Sequence, residues 1–357
     1  MANRAGTAQR SVGGGWLCAA AALALCVLAA CERPKGSAAP PNPGVSKHTI
    51  HIVATIPPIG GLVNALLENQ NIPHDVATLV PPGASEHGFE LTPDNLKSLA
   101  TADVVVMVGL GMEPQVEKFL KDHPRPETER RVVVMAEIPR IRSEIQPGHH
   151  DDEDHHHHDG TVDAAHDDHD HDHAGGDPHI WLDPVLVQHF IFGVSDAIES
   201  RLGPDEKARW RLERASTALV QDIAQVDTNY RVTLKEAQRR TIIVGHDAFG
   251  YLARRYNLKV VAISGLNAGE PRPDDLKKAA DAVRDDHLTT IFVEPQLGSA
   301  AGKRLAKATG AQIAVLDPLG DGDWFKLMEN NLAALREALG IPAMPLPSPH
   351  GPRQKNP

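Results

Sequence analysis

The sequence predicts an α/β protein in two halves, each building a mainly parallel sheet flanked by helices, with one long helix joining them. Three observations carry this. Short apolar runs bounded by turns alternate with helical segments, the pattern of a parallel α/β sheet. The alternation occurs twice, before and after a long charged stretch. That stretch, Asp205 to Gln238, has no internal Gly or Pro, and Ala208, Leu212, Leu219, Ile223 and Val226 recur at roughly helical spacing. At 1.5 Å per residue it would span about 50 Å, long for one domain and suited to a helix that joins two.

In the first half, "HTIHIVATIPPIGGLVNALL" reads as a strand near Thr49–Thr55, a Pro-Pro turn and a helix. "HDVATLV" is a second strand that stops at Pro81-Pro82-Gly83. In "LTPDNLKSLATA", Thr92 is placed to cap a helix that has Pro93 at its first position. "DVVVMVG" and "RVVVMAE" are continuous apolar runs, as in strands covered on both faces. In the second half "RTIIVG", "KVVAIS", "LTTIFVE" and "AQIAVLDP" read as strands. Helices are expected at Ala248–Tyr256, Pro273–Asp286, Ser299–Thr309 and Trp324–Leu339.

The chain ends differ in kind from this body. Arg4 and Arg10 precede an apolar run from Trp16 to Ala30 that closes with "LAAC". This is a secretory leader layout, shorter than the ~20 residues of a transmembrane helix. Leu28-Ala29-Ala30-Cys31 resembles a bacterial lipobox, with Cys31 as the lipidated residue; Cys18 and Cys26 each follow a Leu and do not fit. All 3 Cys lie at or before position 31, so the body of the chain can form neither an internal disulfide nor a Cys-ligated zinc site. Residues 31–46 read as a Pro/Gly/Ser/Ala tether and 341–357 as a disordered Pro-rich tail.

Between Ile145 and Asp177 the α/β pattern is interrupted by a tract of histidine and acid. His149, His150, His155, His156, His157, His158, His166, His169, His171 and His173 are half of the chain's 20 His. They are interleaved with ten Asp/Glu and no Lys or Arg. The tract carries -10 of the formal -11 charge. The remainder is near neutral and offers no electrostatic footprint for nucleic acid. Imidazole and carboxylate together are ligands for divalent metals.

Outside the tract, several His stand at strand-to-helix junctions, where open α/β sheets place ligand sites. His87 lies in "VPPGASEHGFELTP", His179 in "DPHIWLDP" and His246 in "IIVGHDAF". Asp317 ends the last strand in "IAVLDPLG". Three imidazoles and a carboxylate make a four-coordinate zinc sphere, and nitrogen-rich spheres favour zinc over manganese or magnesium. Glu86, beside His87, is the alternative carboxylate. Glu294 in "FVEPQ" also ends a strand and could orient a ligand from behind. Spacing alone does not converge positions 87, 179, 246 and 317, and an isolated turn His is ordinarily a surface residue or a cap.

The ordered set "PPGASEHGFELTPDNLKSLATADVVVMVGLGME", "DPHIWLDP", "GHDAFGYLARRYNL", "FVEPQ" and "LDPLG" resembles the zinc-binding solute-binding proteins of bacterial ABC importers, the cluster A-I metal family, over roughly residues 48–340. The resemblance implies two (β/α)4-type lobes joined by one backbone helix, with the metal between them. It implies ligand roles for His87, His179 and His246, and a fourth position taken by Asp317 or by Glu86. His246 stands where manganese-specific relatives tend to carry Glu. Zinc-specific members often carry a His/Asp-rich loop before the second ligand, which makes tract 149–173 an accessory that captures or buffers metal.

The expected organisation is therefore a leader (1–30), a tether (31–46), an N-terminal lobe (47–202) holding the tract, a linking helix (203–238), a C-terminal lobe (239–340) and the tail. The expected function is a lipid-anchored extracytoplasmic receptor. It would act as a monomer, bind Zn²⁺ as transported substrate and pass it to an ABC permease with its ATPase. No catalysis is expected, because a closed ligand sphere leaves no place for an activated water and a helical H-E-x-x-H is absent. The alternatives are a manganese or iron receptor of the same family, or a zinc buffer or adhesin without a transport role.

Overall fold

The computed structural model describes residues 48–146 and 176–342 of the 357-residue chain. The leader, Cys31, the tether, the His/Asp tract and the tail beyond residue 342 lie outside the described residues.

The first sheet contains β1 (Ile50–Ala54), β2 (His74–Thr78), β3 (Val104–Met107) and β4 (Arg131–Val134), all parallel, in the order β2-β1-β3-β4. The second repeats the arrangement with β5 (Thr241–His246), β6 (Lys259–Ser264), β7 (Thr290–Val293) and β8 (Gln312–Val315), in the order β6-β5-β7-β8. All four residues of β3 are buried, as an unbroken apolar run requires when helices cover both faces. The crossovers of the first sheet are α1 (Pro57–Leu67), α2 (Pro93–Thr101) and α3 (Pro114–Asp122), followed by a one-turn helix α4 (Pro139–Arg142). Thr92 caps α2 as its sequence implies: its hydroxyl accepts from Asn95 N at 3.2 Å, and Asn95 Oδ1 accepts from Thr92 N at 2.9 Å.

Two helices lie between the sheets in sequence. α5 (Pro184–Glu199) packs along α6 (Glu206–Lys235), whose 30 residues span about 45 Å. Asp205 starts α6 by accepting from Ala208 N at 3.0 Å. α6 also touches α1 in the first half and, in the second, α7 (Gly250–Tyr256) and α10 (Trp324–Ala338). The remaining crossovers are α8 (Pro273–Asp285) and α9 (Ala300–Thr309).

The sequence predicts neither α3 nor α5. α5 buries nine of its 16 residues, so its apolar positions spread around the helix and no period stands out.

One apolar cluster runs from Ile50 to Ile341 and includes residues of both halves, among them Trp181, Tyr230 and Trp324. Backbone meets backbone where α1 reaches the loop before α10: a Cβ at Gly61 would lie 1.6 Å from Gly322 O, so only glycine permits that approach. Glu86 and His87 follow the C-terminal end of β2, His246 is the last residue of β5, and Glu294 directly follows β7.

Candidate metal centre

Each histidine is placed by its own local device. His246 is the last residue of β5 and is fully buried. Its backbone N–H donates to Glu294 Oε1 at 3.0 Å and its Nδ1 bonds Glu294 Oε2. Glu294 follows directly on β7, the strand beside β5. A Cβ at residue 245 would lie 3.0 Å from Glu294 Oε1, so Gly245 leaves room for that carboxylate. His179, also fully buried, precedes a single 3-10 turn (Ile180–Leu182). Its backbone N and its Nδ1 both bond Asp177 Oδ1, at 2.9 and 2.8 Å. His87 sits in the loop after β2, where its N–H donates to Ser85 Oγ at 3.1 Å. Its side chain is 13% exposed, so the cluster reaches solvent on that side.

With Nδ1 held by a carboxylate, the remaining nitrogen of His179 and of His246 is the one that points inward. His246 Nε2 lies 3.3 Å from His179 Nε2 and 3.4 Å from His87 Nε2. Glu86 Oε1 lies 3.8 Å from His87 Nε2 and 3.9 Å from His179 Nε2. All four ligand atoms fall within 4.8 Å of one another. Around a tetrahedral zinc with bonds near 2.0–2.1 Å, neighbouring ligand atoms sit roughly 3.3 Å apart, and His246 Nε2 already has that spacing to each of the other two nitrogens. Lone pairs converging at this distance repel unless a cation lies between them. A nitrogen-rich sphere of three imidazoles and one carboxylate could hold a borderline divalent ion such as zinc.

The electrostatics agree. Glu86 is buried, and its Oε1 has no hydrogen-bond partner, an arrangement that costs about 1–3 kcal/mol or more without a compensating cation. Burial raises the Glu86 pKa, and the nearby His246 only partly opposes this. Burial works against protonation of His246. The hydrogen bond and charge of Glu294, with the charges of Glu86 and Asp247, outweigh it and raise the His246 pKa above the ordinary imidazole value.

Asp317, the other carboxylate considered for the fourth position, is not in this cluster. Its Oδ1 accepts from Gln296 Nε2 at 2.8 Å and from the N–H groups of Leu319 and Gly320, both at 2.9 Å. Its backbone exchanges two hydrogen bonds with Asn331 of α10. The structure uses Asp317 to shape the loop after β8. The ten histidines of the tract lie outside the described residues.

Several residues that build the centre are not among those the sequence predicts. Asp177 orients His179. Tyr251 of α7 accepts from Gln146 N at 3.1 Å and donates to Asp177 O at 2.9 Å, while Asp177 N donates to Gln146 O at 3.0 Å. Both edges of the segment that carries the tract are thus tied to α7. Trp181 Nε1 donates to Pro318 O at 2.7 Å, and Trp324 Nε1 donates to Trp181 O at 2.9 Å. These bonds fix the turn after His179 to the second half. A cavity of about 510 Å³ adjoins the cluster, with Glu86, His87, Phe89 and Glu113 in its wall. Glu113 is fully engaged: Oε1 accepts from Thr55 Oγ1 and Val108 N, and Oε2 from Gly109 N. Burial lifts its pKa to about 7. Only "DPHIWLDP", with its acid at −2 from the histidine, offers a sequence signal for any of these residues.

Comparison with known proteins agrees with this geometry. The family model described as zinc-uptake complex component A, periplasmic (ZnuA), matches residues 52–338. The high-affinity zinc uptake system protein ZnuA of Bacillus subtilis (strain 168) is 29% identical over 308 residues, covering 81% of this chain and 88% of its own length. The zinc-binding lipoprotein AdcA of Streptococcus pneumoniae (strain ATCC BAA-255 / R6) is 26% identical over 281 residues, 74% of this chain. The chain spans only about half of AdcA, 51% of its length. A solved crystal structure of ZnuA superposes with a TM-score of 0.65 at 25% identity, covering 82% of this chain and 99% of that one. The chain belongs to the zinc-uptake complex component A family of solute-binding proteins.

Proposed function

We propose that this chain is an extracytoplasmic receptor that binds Zn²⁺ as cargo and delivers it to an ABC permease and its ATPase. The observation that carries the reading is the convergence of three imidazole Nε2 atoms on the otherwise unpartnered Oε1 of Glu86. His87, His179, His246 and Glu86 are the ligands in this reading. Asp177 and Glu294 hold two of the rings in the tautomer that presents Nε2 to the metal. Four protein ligands close the sphere and leave no position for an activated water, so the site suits capture and release rather than hydrolysis. The names of the relatives, a zinc uptake system protein and a zinc-binding lipoprotein, point the same way.

In this account residues 47–202 and 239–340 act as two lobes that clasp the ion at their seam, with α6 as the connecting strut. Cys31 carries the lipid that keeps the monomeric receptor at its membrane. Tract 149–173 is an accessory store of weak sites, since each flexible imidazole must be ordered on binding. The test is a calorimetric zinc titration of residues 32–357 lacking 149–173, beside the same protein carrying His246→Ala. One tight site that collapses in the variant supports the proposal. Absence of a tight site in the deletion protein would transfer the main role to the tract.

A further inference from the structure

At the opposite end of the first sheet from Glu86 and His87, where β1 and β2 begin, four more potential ligands stand in a row of pairwise contacts. His51 is the second residue of β1 and is paired in register with Asp75 of β2; His51 Nδ1 lies 2.6 Å from Asp75 Oδ1. Asp103, just before β3, approaches from the other side: its Oδ2 accepts from His51 N at 2.9 Å and lies 3.1 Å from His48 Nε2. The two rings stand edge to face with centroids 6.2 Å apart. His51 of central strand β1 and His48, two residues before that strand, thus stand between Asp75 of β2 and Asp103 at the entry to β3. None of these residues takes part in the centre described above.

We propose that His48, His51, Asp75 and Asp103 form a second, peripheral site for a borderline divalent cation such as Zn²⁺. The donor set suits it: two imidazole nitrogens and two carboxylates. The spacing nearly does. The His48–Asp103 separation of 3.1 Å is close to the roughly 3.3 Å between ligands that share a tetrahedral zinc. The ring separation of 6.2 Å compares with 5.1, 5.2 and 5.7 Å among the three histidines of the main centre. The side chains of His48 and His51 are 56% and 47% exposed, so small rotations can close that gap. Exposure also sets the class of the site. The cation must order mobile side chains, and the Arg201 guanidinium, whose charge interacts with Asp103, opposes a second positive charge. Binding is therefore far weaker than at the buried centre.

The test is peptide-resolved protection of histidine in the full chain, with Zn²⁺ alone as the probe. Diethyl pyrocarbonate modifies an unprotonated imidazole nitrogen, and a metal-bound nitrogen cannot react. At free zinc ten times the dissociation constant, simple occupancy predicts that modification of His48 and His51 slows together by about tenfold. Exposed His123 of the same protein should show no change. In His48→Ala, which alters only an exposed side chain outside the strands, protection of His51 should be lost. Asp75→Asn should shift protection of both rings to higher zinc. Equal modification with and without zinc would overturn the proposal, as would undiminished protection of His51 in His48→Ala. Because the readout is specific to this peptide, failure here leaves the buried centre standing, and failure of the buried centre leaves this result interpretable.

Discussion

Replacing Glu294 by Gln tests how the fold prepares a ligand. The substitution keeps the shape of the side chain and removes its charge from behind His246, where the carboxylate accepts from both the backbone N–H and Nδ1. Loss of such a partner typically costs 10–100-fold in metal affinity, or about 1.4–2.7 kcal/mol. The variant should therefore bind zinc 10–100-fold more weakly at pH 8, the alkaline end of the titration. The pH dependence carries a second, sharper expectation. Glu294 is the main reason the His246 pKa stands above the ordinary value despite burial. Protons compete with zinc for that nitrogen, so the wild type loses affinity at a higher pH than the variant does. The ratio of the two dissociation constants should be largest at pH 8 and should narrow as pH falls below the wild-type His246 pKa. Competition titration against a chromophoric chelator across pH 5.5–8 would measure it, using protein that lacks 149–173. Equal affinities at pH 8, or a ratio that widens toward acid, would refute the reasoning.

Three further expectations follow from the same geometry. Asp317→Ala should lower unfolding free energy by about 1–3 kcal/mol, because three part-buried donors lose their acceptor. It should leave zinc affinity nearly unchanged, whereas Glu86→Gln should weaken zinc binding; denaturant melts and zinc titrations of both proteins separate the roles. Tyr251→Phe removes the hydroxyl that ties Gln146 to Asp177, and at about 0.5–1.5 kcal/mol per bond should destabilise the protein by about 1–3 kcal/mol in a urea melt. Glu113 has a folded pKa of about 7 against an ordinary value of 4.5. A raised folded pKa means the folded state binds the proton more tightly. The contribution is therefore full below about pH 4.5 and is lost as pH rises to about 7, a loss on the order of 3 kcal/mol. Glu113→Gln should flatten the stability profile of the zinc-free protein over that window. A profile parallel to wild type would contradict the assignment.

Much of this fold could be read in the chain because its strands are short and bounded by turn chemistry. Val104–Met107 is unbroken apolar sequence and sits in mid-sheet; Thr92, Pro93 and Asn95 spell out the start of α2. α5 escaped notice for the opposite reason: a helix buried on most faces has no polar stripe to mark its period. The candidate ligands His87, His179 and His246 were visible as residues at strand-end loops, but their meeting was not. Convergence of positions 87, 179 and 246 depends on how the two sheets face each other, and local sequence does not encode that. The choice between Asp317 and Glu86 was open for the same reason. Both follow strands, and only the packing against Gln296 and Asn331 occupies Asp317 elsewhere. Of the orienting residues, Glu294 is legible at its strand end and Asp177 stands two positions from the ring it holds, whereas Tyr251 reaches Gln146 across 105 positions and carries no local signature.

The central claim is that one zinc ion is held by three imidazoles and a carboxylate. Zinc K-edge X-ray absorption on the protein lacking 149–173, loaded with one equivalent, tests it most directly. The expected spectrum is that of four-coordinate zinc with three nitrogen ligands near 2.0 Å, clear imidazole outer-shell scattering and one oxygen. The same spectrum in His246→Ala should lose an imidazole contribution. A five- or six-coordinate, oxygen-dominated spectrum unchanged by that substitution would contradict the account.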